Sequence, residues 1–168
     1  MKLSTSLIAL CLSTVVSSEG LSLFGSGSQK AFTDDINVPG DNPLRYCKPE
    51  HGSDILKLEI VNLSPNPPVP GSTLQIEATG TFDQEILEGA YVNLQVKYGL
   101  IRLINQSADL CEQIKNVDLE CPLKKGLTKI VKEVEIPKEI PPGTYTVFAD
   151  AFTADDEHIT CLTATVTF

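Results

Sequence analysis

The residues of this chain that could do chemistry are, first, its cysteines. Cys11 lies in an apolar stretch near the N-terminus, and Cys47, Cys111, Cys121 and Cys161 follow. None of these four shows the close C-x-x-C spacing of a redox or zinc site. Cys11 would be removed with a signal peptide, which leaves four cysteines. An even number in an oxidising compartment favours two disulfides, for which three pairings are possible. Because Cys111 and Cys121 flank a short polar loop, a local bridge between them is natural. Cys47 would then tie the first strand to Cys161 in the last strand.

Histidines and carboxylates offer little further chemistry. His51 and His158 are not at metal-ligand spacing, and both are predicted to be surface residues. The chain has no G-x-S-x-G, P-loop or Rossmann glycine motif. Acidic pairs such as Asp155 and Asp156 stand in turn-like stretches, and nothing singles out a glycosidase pair. We therefore expect a protein that is not an enzyme and that uses no metal and no cofactor.

Charge and hydropathy exclude several classes of function. The 168-residue chain has 13 Lys and Arg against 22 Asp and Glu, a formal net charge of −9 at pH 7. This balance argues against nucleic-acid binding, which needs a basic surface, and against permanent attachment to an anionic membrane. After the first twenty residues no apolar run approaches the roughly 20 residues that span a bilayer. The body of the protein is therefore expected to be soluble.

The first 20 residues are typical of a secretory signal peptide. Lys2 provides the positive start, and an apolar stretch and small residues follow it. Residues 21–42 are rich in Gly, Ser and Asp and are predicted to be a flexible leader or pro-segment, ahead of a folded domain at 43–168. Sequons at Asn62 and Asn105 agree with a glycoprotein of the secretory pathway.

From Leu44 onward the hydrophobic pattern is that of short β-strands. Apolar and polar residues alternate, so that Leu56, Leu58 and Ile60, for example, are predicted on one face of a strand. Gly99 is predicted to mark a bulge. Stretches rich in proline, glycine or acidic residues separate the runs, and no segment predicts an amphipathic helix. Six or seven strands at this spacing predict an all-β fold, an immunoglobulin-like sandwich.

The predicted core contains unusually small residues. Interiors pack densely, so small inward side chains are either matched by bulk on the opposite sheet or leave a void. Composition alone allows two interpretations: an ordinary packed sandwich, or a sandwich with a cavity for an apolar ligand. The small residues predicted to face inward are Ala78, Gly80, Ala90, Ala149, Ala151 and Ala164.

The order of cysteines, prolines and strands resembles a known family. Cys47 precedes the first long strand, and SPNPPVPGS, a paired-cysteine loop ending in CPLKKG, PPGTYTV and a threonine alternation after Cys161 follow it. This pattern, from about Leu44 to Phe168, resembles the ML lipid-recognition family, and within it the Niemann–Pick type C soluble branch. The chain departs from the animal members at residues 64–68, where they carry an additional cysteine pair and this chain has prolines.

The resemblance implies a two-sheet sandwich with a lipid slot between the sheets and disulfides Cys47–Cys161 and Cys111–Cys121. It implies as ligand a sterol of the ergosterol or cholesterol type, or a phospholipid such as phosphatidylinositol or phosphatidylglycerol. It further implies a monomer in the vacuole or lysosome lumen, or secreted, that touches membranes transiently and works with a polytopic Niemann–Pick type C membrane transporter. Counted from the cysteines, the resemblance places Ile101 and Leu103 at pocket positions and Ile136 and Ile140 beside the slot entrance.

Alternation and resemblance together predict a set of lipid-binding residues. Ala151 and Leu162 stand where animal relatives carry aromatic residues, so this slot is expected to be roomier. The leading hypothesis is a lipid carrier; the alternatives are an immunoglobulin-like interaction module without a lipid ligand and, more remotely, a secreted hydrolase. The predicted set is Leu58, Ile60, Ile76, Phe82, Val92, Leu94, Val96, Ile101, Leu103, Ile136, Ile140, Tyr145, Val147, Ala149, Ala151, Leu162 and Ala164.

Overall fold

The computed structural model describes residues 36–168 of the chain. The predicted signal peptide (1–20) and the first part of the predicted leader (21–35) lie outside the described residues. Within 36–168 no helix is long and apolar enough to cross a membrane.

Eight strands and one short helical segment make up the described part of the chain. The helical segment is α1 (Leu110–Ile114), which a 3₁₀ turn at Lys115–Val117 extends. The strands are β1 (Leu44–Tyr46), β2 (Leu56–Ser64), β3 (Thr73–Phe82), β4 (Tyr91–Tyr98), β5 (Ile101–Asp109), β6 (Gly126–Glu135), β7 (Thr144–Phe152) and β8 (His158–Thr167).

The strands form two antiparallel sheets. One has five strands in the order β1-β8-β7-β4-β5, and the other has three in the order β2-β3-β6. The predicted all-β, immunoglobulin-like sandwich is therefore confirmed. The strand count exceeds the predicted six or seven because β1 is only three residues long and because one predicted strand is a hairpin.

That hairpin overturns the role predicted for Gly99. Gly99 and Leu100 form the two-residue turn between β4 and β5, and Gly99 has a φ of 54°. A glycine at the first position of such a turn supplies the positive φ that other residues avoid. The bulge lies farther on, where Leu103 is the extra residue between the pairs Val96–Ile104 and Lys97–Arg102.

A second bulge overturns the position predicted for Ile60. The register of β2 against β3 shifts between Leu58 and Ile60, so that Ile60 pairs with Thr79 on the outer face and is exposed. Val61, which pairs with Ala78, takes the inward position and is buried. One extra residue in a strand moves every later side chain to the other face.

The core has two parts. The larger cluster lies at one end of the sandwich, which we call the packed end, and joins Ile55, Phe82, Ile86, Val92 and Ile159 among others. The smaller cluster closes one side, where Tyr46 of β1 packs with Val61 of β2 and with Val38. Both clusters bridge the two sheets, so the sandwich is closed at one end and along one side.

Residues ahead of β1 belong to the folded unit. Val38 is buried, its N–H donates to the carbonyl of Leu44, and Asn37 forms a β-bridge with Arg45. The boundary predicted near Pro43 therefore lies inside the fold, and the flexible leader predicted for 21–42 does not extend to Ile36–Asn42. The local signal of Gly, Asp and Asn was outweighed because Val38 belongs to the smaller cluster and Ile36 packs against it.

Two disulfides have the pairing that the resemblance implied. Cys47 bonds Cys161 with a Cα–Cα distance of 5.4 Å, and Cys111 bonds Cys121 at 5.5 Å. In the chain-entropy account the first, which spans 114 residues, contributes about 5 kcal/mol and the second, which spans 10, about 3 kcal/mol. The long bridge ties the start of the sandwich to β8, and the short one fixes the α1 loop.

Candidate functional site

An apolar cavity opens at the end of the sandwich opposite the packed end. It lies where the β6–β7 connection crosses from the three-stranded to the five-stranded sheet. Its volume is about 570 Å³, within the usual range of sites for small ligands. Its walls are Val96, Leu103, Pro137, Glu139, Ile140, Pro141, Tyr145, Val147, Val166 and Phe168.

The walls are apolar because of strand alternation. Val96 pairs with Val147, and Tyr145 pairs with Val166, so these side chains share the inner face of the five-stranded sheet. The outer face of the same strands is polar: the hydroxyls of Thr146 and Thr165, for example, are 3.2 Å apart. One face of β4, β7 and β8 is therefore suited to an apolar ligand and the other to water.

Burial changes steeply along this inner face. Val92 and Ala151, at the packed end, are 6% and 7% exposed. Val147, on the same face of β7, is 39% exposed, and Leu103 is 55% exposed. Because natural interiors are close-packed, inward side chains that stay this accessible show that the two sheets are not in contact at the cavity end.

Two aromatic residues, Tyr145 and Phe168, line the cavity, and Tyr98 contacts Tyr145. The rings of Tyr98 and Tyr145 are 5.1 Å apart, and Phe168 meets Tyr145 edge-on at 5.7 Å. Gly143 makes this arrangement possible: its φ is 151°, and a Cβ there would lie 2.4 Å from the Tyr98 ring. The backbone N–H and C=O of Gly143 both pair with Phe168, at 2.8 and 3.0 Å.

The β6–β7 connection forms the covering wall of the cavity. Ile136 still pairs with the β2–β3 loop, since its N–H donates to the carbonyl of Ser72 at 2.9 Å. The tyrosine hydroxyls hold the proline-rich part, because Tyr98 donates to the carbonyl of Pro142 and Tyr145 to that of Pro141. Ile140 therefore faces the cavity, whereas Ile136 lines a neighbouring hollow beside Gly71.

Five of the predicted lipid-binding residues line the cavity: Val96, Leu103, Ile140, Tyr145 and Val147. Leu94, Ala149, Ile76 and Ala164 are half-buried on the inner faces. The remainder are elsewhere. Phe82, Val92 and Ala151 belong to the packed end, and Leu58 and Leu162 pack against the smaller cluster. Ile136 lines the neighbouring hollow. Ile101 is exposed beside the hairpin turn, and Ile60 is exposed on the outer face.

Val166 and Phe168 line the cavity but are absent from the predicted set. The signal that could have found them was present, because they continue the alternation of Leu162 and Ala164 along β8. Phe168 also needed the pairing with Gly143, which cannot be read from β8 alone.

The predicted glycan acceptors differ in their surroundings. The side-chain oxygen of Asn62 accepts a hydrogen bond from the backbone N–H of Asp41 at 2.9 Å, and Asn62 is half-buried. Asn105 is exposed on the outer face of β5, where its only short side-chain contact among the described residues is a 3.3 Å bond from Gln95. Glycosylation at either residue stays a prediction.

A histidine between two carboxylates lies outside the cavity. Nδ1 of His158 is 2.8 Å from Asp54, which is buried, and Nε2 is 3.0 Å from Asp150. The predicted surface position of His158 is therefore wrong, because β8 carries it between the β1–β2 connection and β7. Both ring nitrogens of His158 therefore have a carboxylate partner within the protein. Within residues 36–168 no group of three or more His, Cys, Asp and Glu side chains could hold a metal ion.

Two tyrosines have perturbed acidity. Burial raises the pKa of Tyr46, which stacks on His51 with ring centroids 3.7 Å apart. The hydroxyl of Tyr91 donates to Asp156 at 2.7 Å, and this bond raises the pKa of Tyr91. Both tyrosines are therefore uncharged at neutral pH, and neither lines the cavity.

The geometry defines a class of protein: a disulfide-bonded antiparallel sandwich with an apolar cavity at one end. A family model described as the ML domain matches residues 41–168, and the chain belongs to the ML domain family. The resemblance found in the sequence is thereby confirmed.

Relatives and solved structures agree with the family. The chain is 58% identical over 170 aligned residues to a phosphatidylglycerol/phosphatidylinositol transfer protein of Neurospora crassa, covering 100% of this chain and 94% of the relative. Chicken MD-1 complexed with lipid IVa has a TM-score of 0.51 and 20% identity, over 78% of this chain and 95% of that one. A Niemann–Pick type C2 protein from the Japanese carpenter ant has a TM-score of 0.50 and 17% identity, over 74% and 97%. At these identities the two structures show a shared fold.

Proposed function

We propose that this protein is a lipid-transfer protein that takes one lipid between its two sheets and carries it between membranes. The observation that supports this most directly is the cavity of about 570 Å³ whose inward-facing walls remain exposed. An interaction module without a ligand is expected to have packed sheets throughout. A protein that leaves Leu103 and Val147 accessible gains stability by covering them with an apolar ligand.

The binding energy comes mainly from the exclusion of water. Each 100 Å² of apolar lipid surface that the walls cover contributes about 2.5 kcal/mol before ordering costs are subtracted. Few polar groups face the cavity, so the acyl chains or ring system of the lipid are recognised by shape and volume. We therefore expect selectivity among apolar bodies to be broad.

A phospholipid is the ligand class that we favour, with a sterol of the ergosterol or cholesterol type as the second. The Neurospora crassa relative, at 58% identity, is a phosphatidylglycerol/phosphatidylinositol transfer protein, and this supports phosphatidylglycerol and phosphatidylinositol as ligands. In this proposal the protein is a monomer of the secretory pathway, in the vacuole or lysosome lumen or secreted, and touches membranes transiently. A polytopic Niemann–Pick type C membrane transporter would exchange lipid with it there. No covalent chemistry is involved, so the protein is not an enzyme.

The experiment that tests this function measures cargo and transfer together. The purified protein is extracted with organic solvent and the extract is analysed by mass spectrometry. The delipidated protein is then given donor vesicles with fluorescent phosphatidylglycerol or a fluorescent sterol, together with unlabelled acceptor vesicles. We expect close to one lipid per chain and protein-dependent transfer. A clean extract together with no uptake of either lipid would refute the proposal.

A further inference from the structure

One cation stands on the inner walls of the sandwich. Lys132 pairs with Ile76, which pairs with Leu63, and these neighbours face inward on the three-stranded sheet. In residues 36–168 it is the one charged residue at an inward-facing strand position. The other inward strand positions carry apolar side chains, glycine, threonine or glutamine, and none of them is charged.

The ammonium group of Lys132 lies at the open side of the space between the sheets. β6 and β5 are the edge strands of the two sheets on the side away from β2 and β1, and inward side chains on both, Val134 and Ile104, remain exposed. Nζ of Lys132 is 3.0 and 2.8 Å from the two carboxylate oxygens of Asp118, in the β5–β6 connection. The long stem of a lysine can follow an apolar wall while its charged end reaches water.

The partner of Lys132 is one that another anion could replace. The Asp118 side chain is 72% exposed, whereas that of Lys132 is 29% exposed. An ion pair with so exposed a member contributes little to stability, on the order of 0–1 kcal/mol, because water and salt screen it. A charged residue on an otherwise uncharged wall is therefore poorly explained as a stabilising contact, and better explained as a contact to a ligand.

We propose that Lys132 binds the phosphodiester of a phospholipid cargo, which takes the place of Asp118. This inference rests on the proposed lipid-transfer function and deepens it by naming the group that recognises phospholipid. The acyl chains occupy the apolar space between the sheets, and the phosphate emerges at the open side beside β6. Lysine binds phosphate as a point charge with three donors, so it tolerates different alcohols on the phosphate.

The test compares two variants that break the same ion pair from opposite sides. Delipidated protein is incubated with vesicles of equal parts phosphatidylglycerol and ergosterol, re-isolated, and analysed for both lipids by mass spectrometry. Lys132→Met should lower bound phosphatidylglycerol by about tenfold, the scale of one charge-assisted hydrogen bond, and leave bound ergosterol unchanged or raised. Asp118→Asn should raise bound phosphatidylglycerol, because it removes the competing anion.

The matched control is Lys129→Met, which removes the same charge from the exposed outer face of β6. It should leave the lipid content unchanged. If the role of Lys132 were only to hold Asp118, the Lys132 and Asp118 variants would change lipid content in the same direction, and that result overturns the inference. A Lys132→Met protein that keeps its phosphatidylglycerol, or a control that loses as much, also overturns it.

Two further outcomes separate the causes of failure. If the wild-type protein takes up neither lipid, the proposed function fails and this inference with it. If wild type and Lys132→Met carry phosphatidylglycerol equally, only the role of Lys132 fails.

Inorganic phosphate at constant ionic strength should not raise the melting temperature of the delipidated protein. A rise that Lys132→Met abolishes would assign the site to free phosphate and overturn its assignment to a lipid.

Discussion

At the scale of single residues, the surroundings of Ala151 and Val147 differ although both lie on the inner face of β7. Ala151 contacts the packed-end cluster, where Ile86 and Ile159 are almost fully buried. Val147 lines the cavity, as Ile140 does. Adding a large side chain to a close-packed core strains it, whereas the same addition at the cavity only fills space that a ligand would occupy.

The tryptophan variants of these residues should therefore fail in different ways. Val147→Trp should abolish uptake of fluorescent sterol and phosphatidylglycerol and change the free energy of unfolding by less than about 0.5 kcal/mol. Ala151→Trp should lower the free energy of unfolding by about 3 kcal/mol. Lipid uptake and urea unfolding measure the two effects. Val131→Trp, on the exposed outer face of β6, is the control for added bulk. Equal uptake by Val147→Trp and wild type would show that this cavity is not the lipid site.

The sequence pattern predicts which side chains point inward. It does not predict where along the sandwich the two sheets separate. Val96, Tyr145 and Val147 were found because alternation alone places them on the inner face. Phe82 and Val92 have the same alternation but pack at the closed end. What closes that end is Ile86 and Leu123, which form an isolated bridge between two loops. No strand pattern in the sequence reports that contact.

At the scale of elements, the β4–β5 hairpin presents an aliphatic tip next to the cavity. Leu100 is fully exposed, and Ile101 beside it is 62% exposed. The hairpin is fixed to the cavity end because Gly99 N–H donates to the carbonyl of Thr144 at 2.9 Å. Exposed aliphatic residues flanked by cations, here the cross-strand pair Lys97–Arg102, suit the interface of a membrane with anionic headgroups.

Replacing the aliphatic tip should impair membrane contact without unfolding the protein. We expect Leu100→Asp to lower co-sedimentation with anionic vesicles, and the rate of lipid transfer, by about tenfold, the value of one buried leucine. The melting temperature should hardly change, because Leu100 makes no packing contact to lose. Leu87→Asp is the matched control, since Leu87 is exposed in the β3–β4 loop at the packed end. If both variants bind vesicles as wild type does, the hairpin is not the contact.

Strand existence was predictable at this scale, and strand register was not. The alternating runs that predict β2, β3, β7 and β8 are found as strands. The bulges at Glu59 and Leu103 were not predicted, because a bulge exists only relative to a partner strand, and the partner is set by the sheet order. Gly99 signalled irregularity correctly, but a bulge and a tight turn both call for the same positive φ.

At the scale of the whole molecule, charge is distributed unevenly between the two ends. The net charge is −9, and loops at the packed end carry much of the acid. Those loops contain Asp83, Glu85, Glu88, Glu112, Glu120, Asp155, Asp156 and Glu157 against Lys115, Lys124 and Lys125. The cavity end carries Lys97, Arg102 and Lys138 beside Glu139. We expect a sandwich with this asymmetry to approach an anionic membrane with its cavity end forward, while the net charge opposes the approach.

Transfer between anionic vesicles should therefore quicken as pH falls from 7 to 5. Acidification makes the net charge of the protein less negative, which reduces its overall repulsion from the anionic surface. The measurement is the initial rate of phosphatidylglycerol transfer at constant ionic strength, since salt would screen the same repulsion.

Neutral phosphatidylcholine vesicles are the control and should show a flat profile. The double variant Glu85→Gln/Glu88→Gln, which removes two charges from the packed end, should already be faster at pH 7. A flat profile with anionic vesicles, or a double variant no faster than wild type, would show that repulsion by the acidic end does not limit transfer.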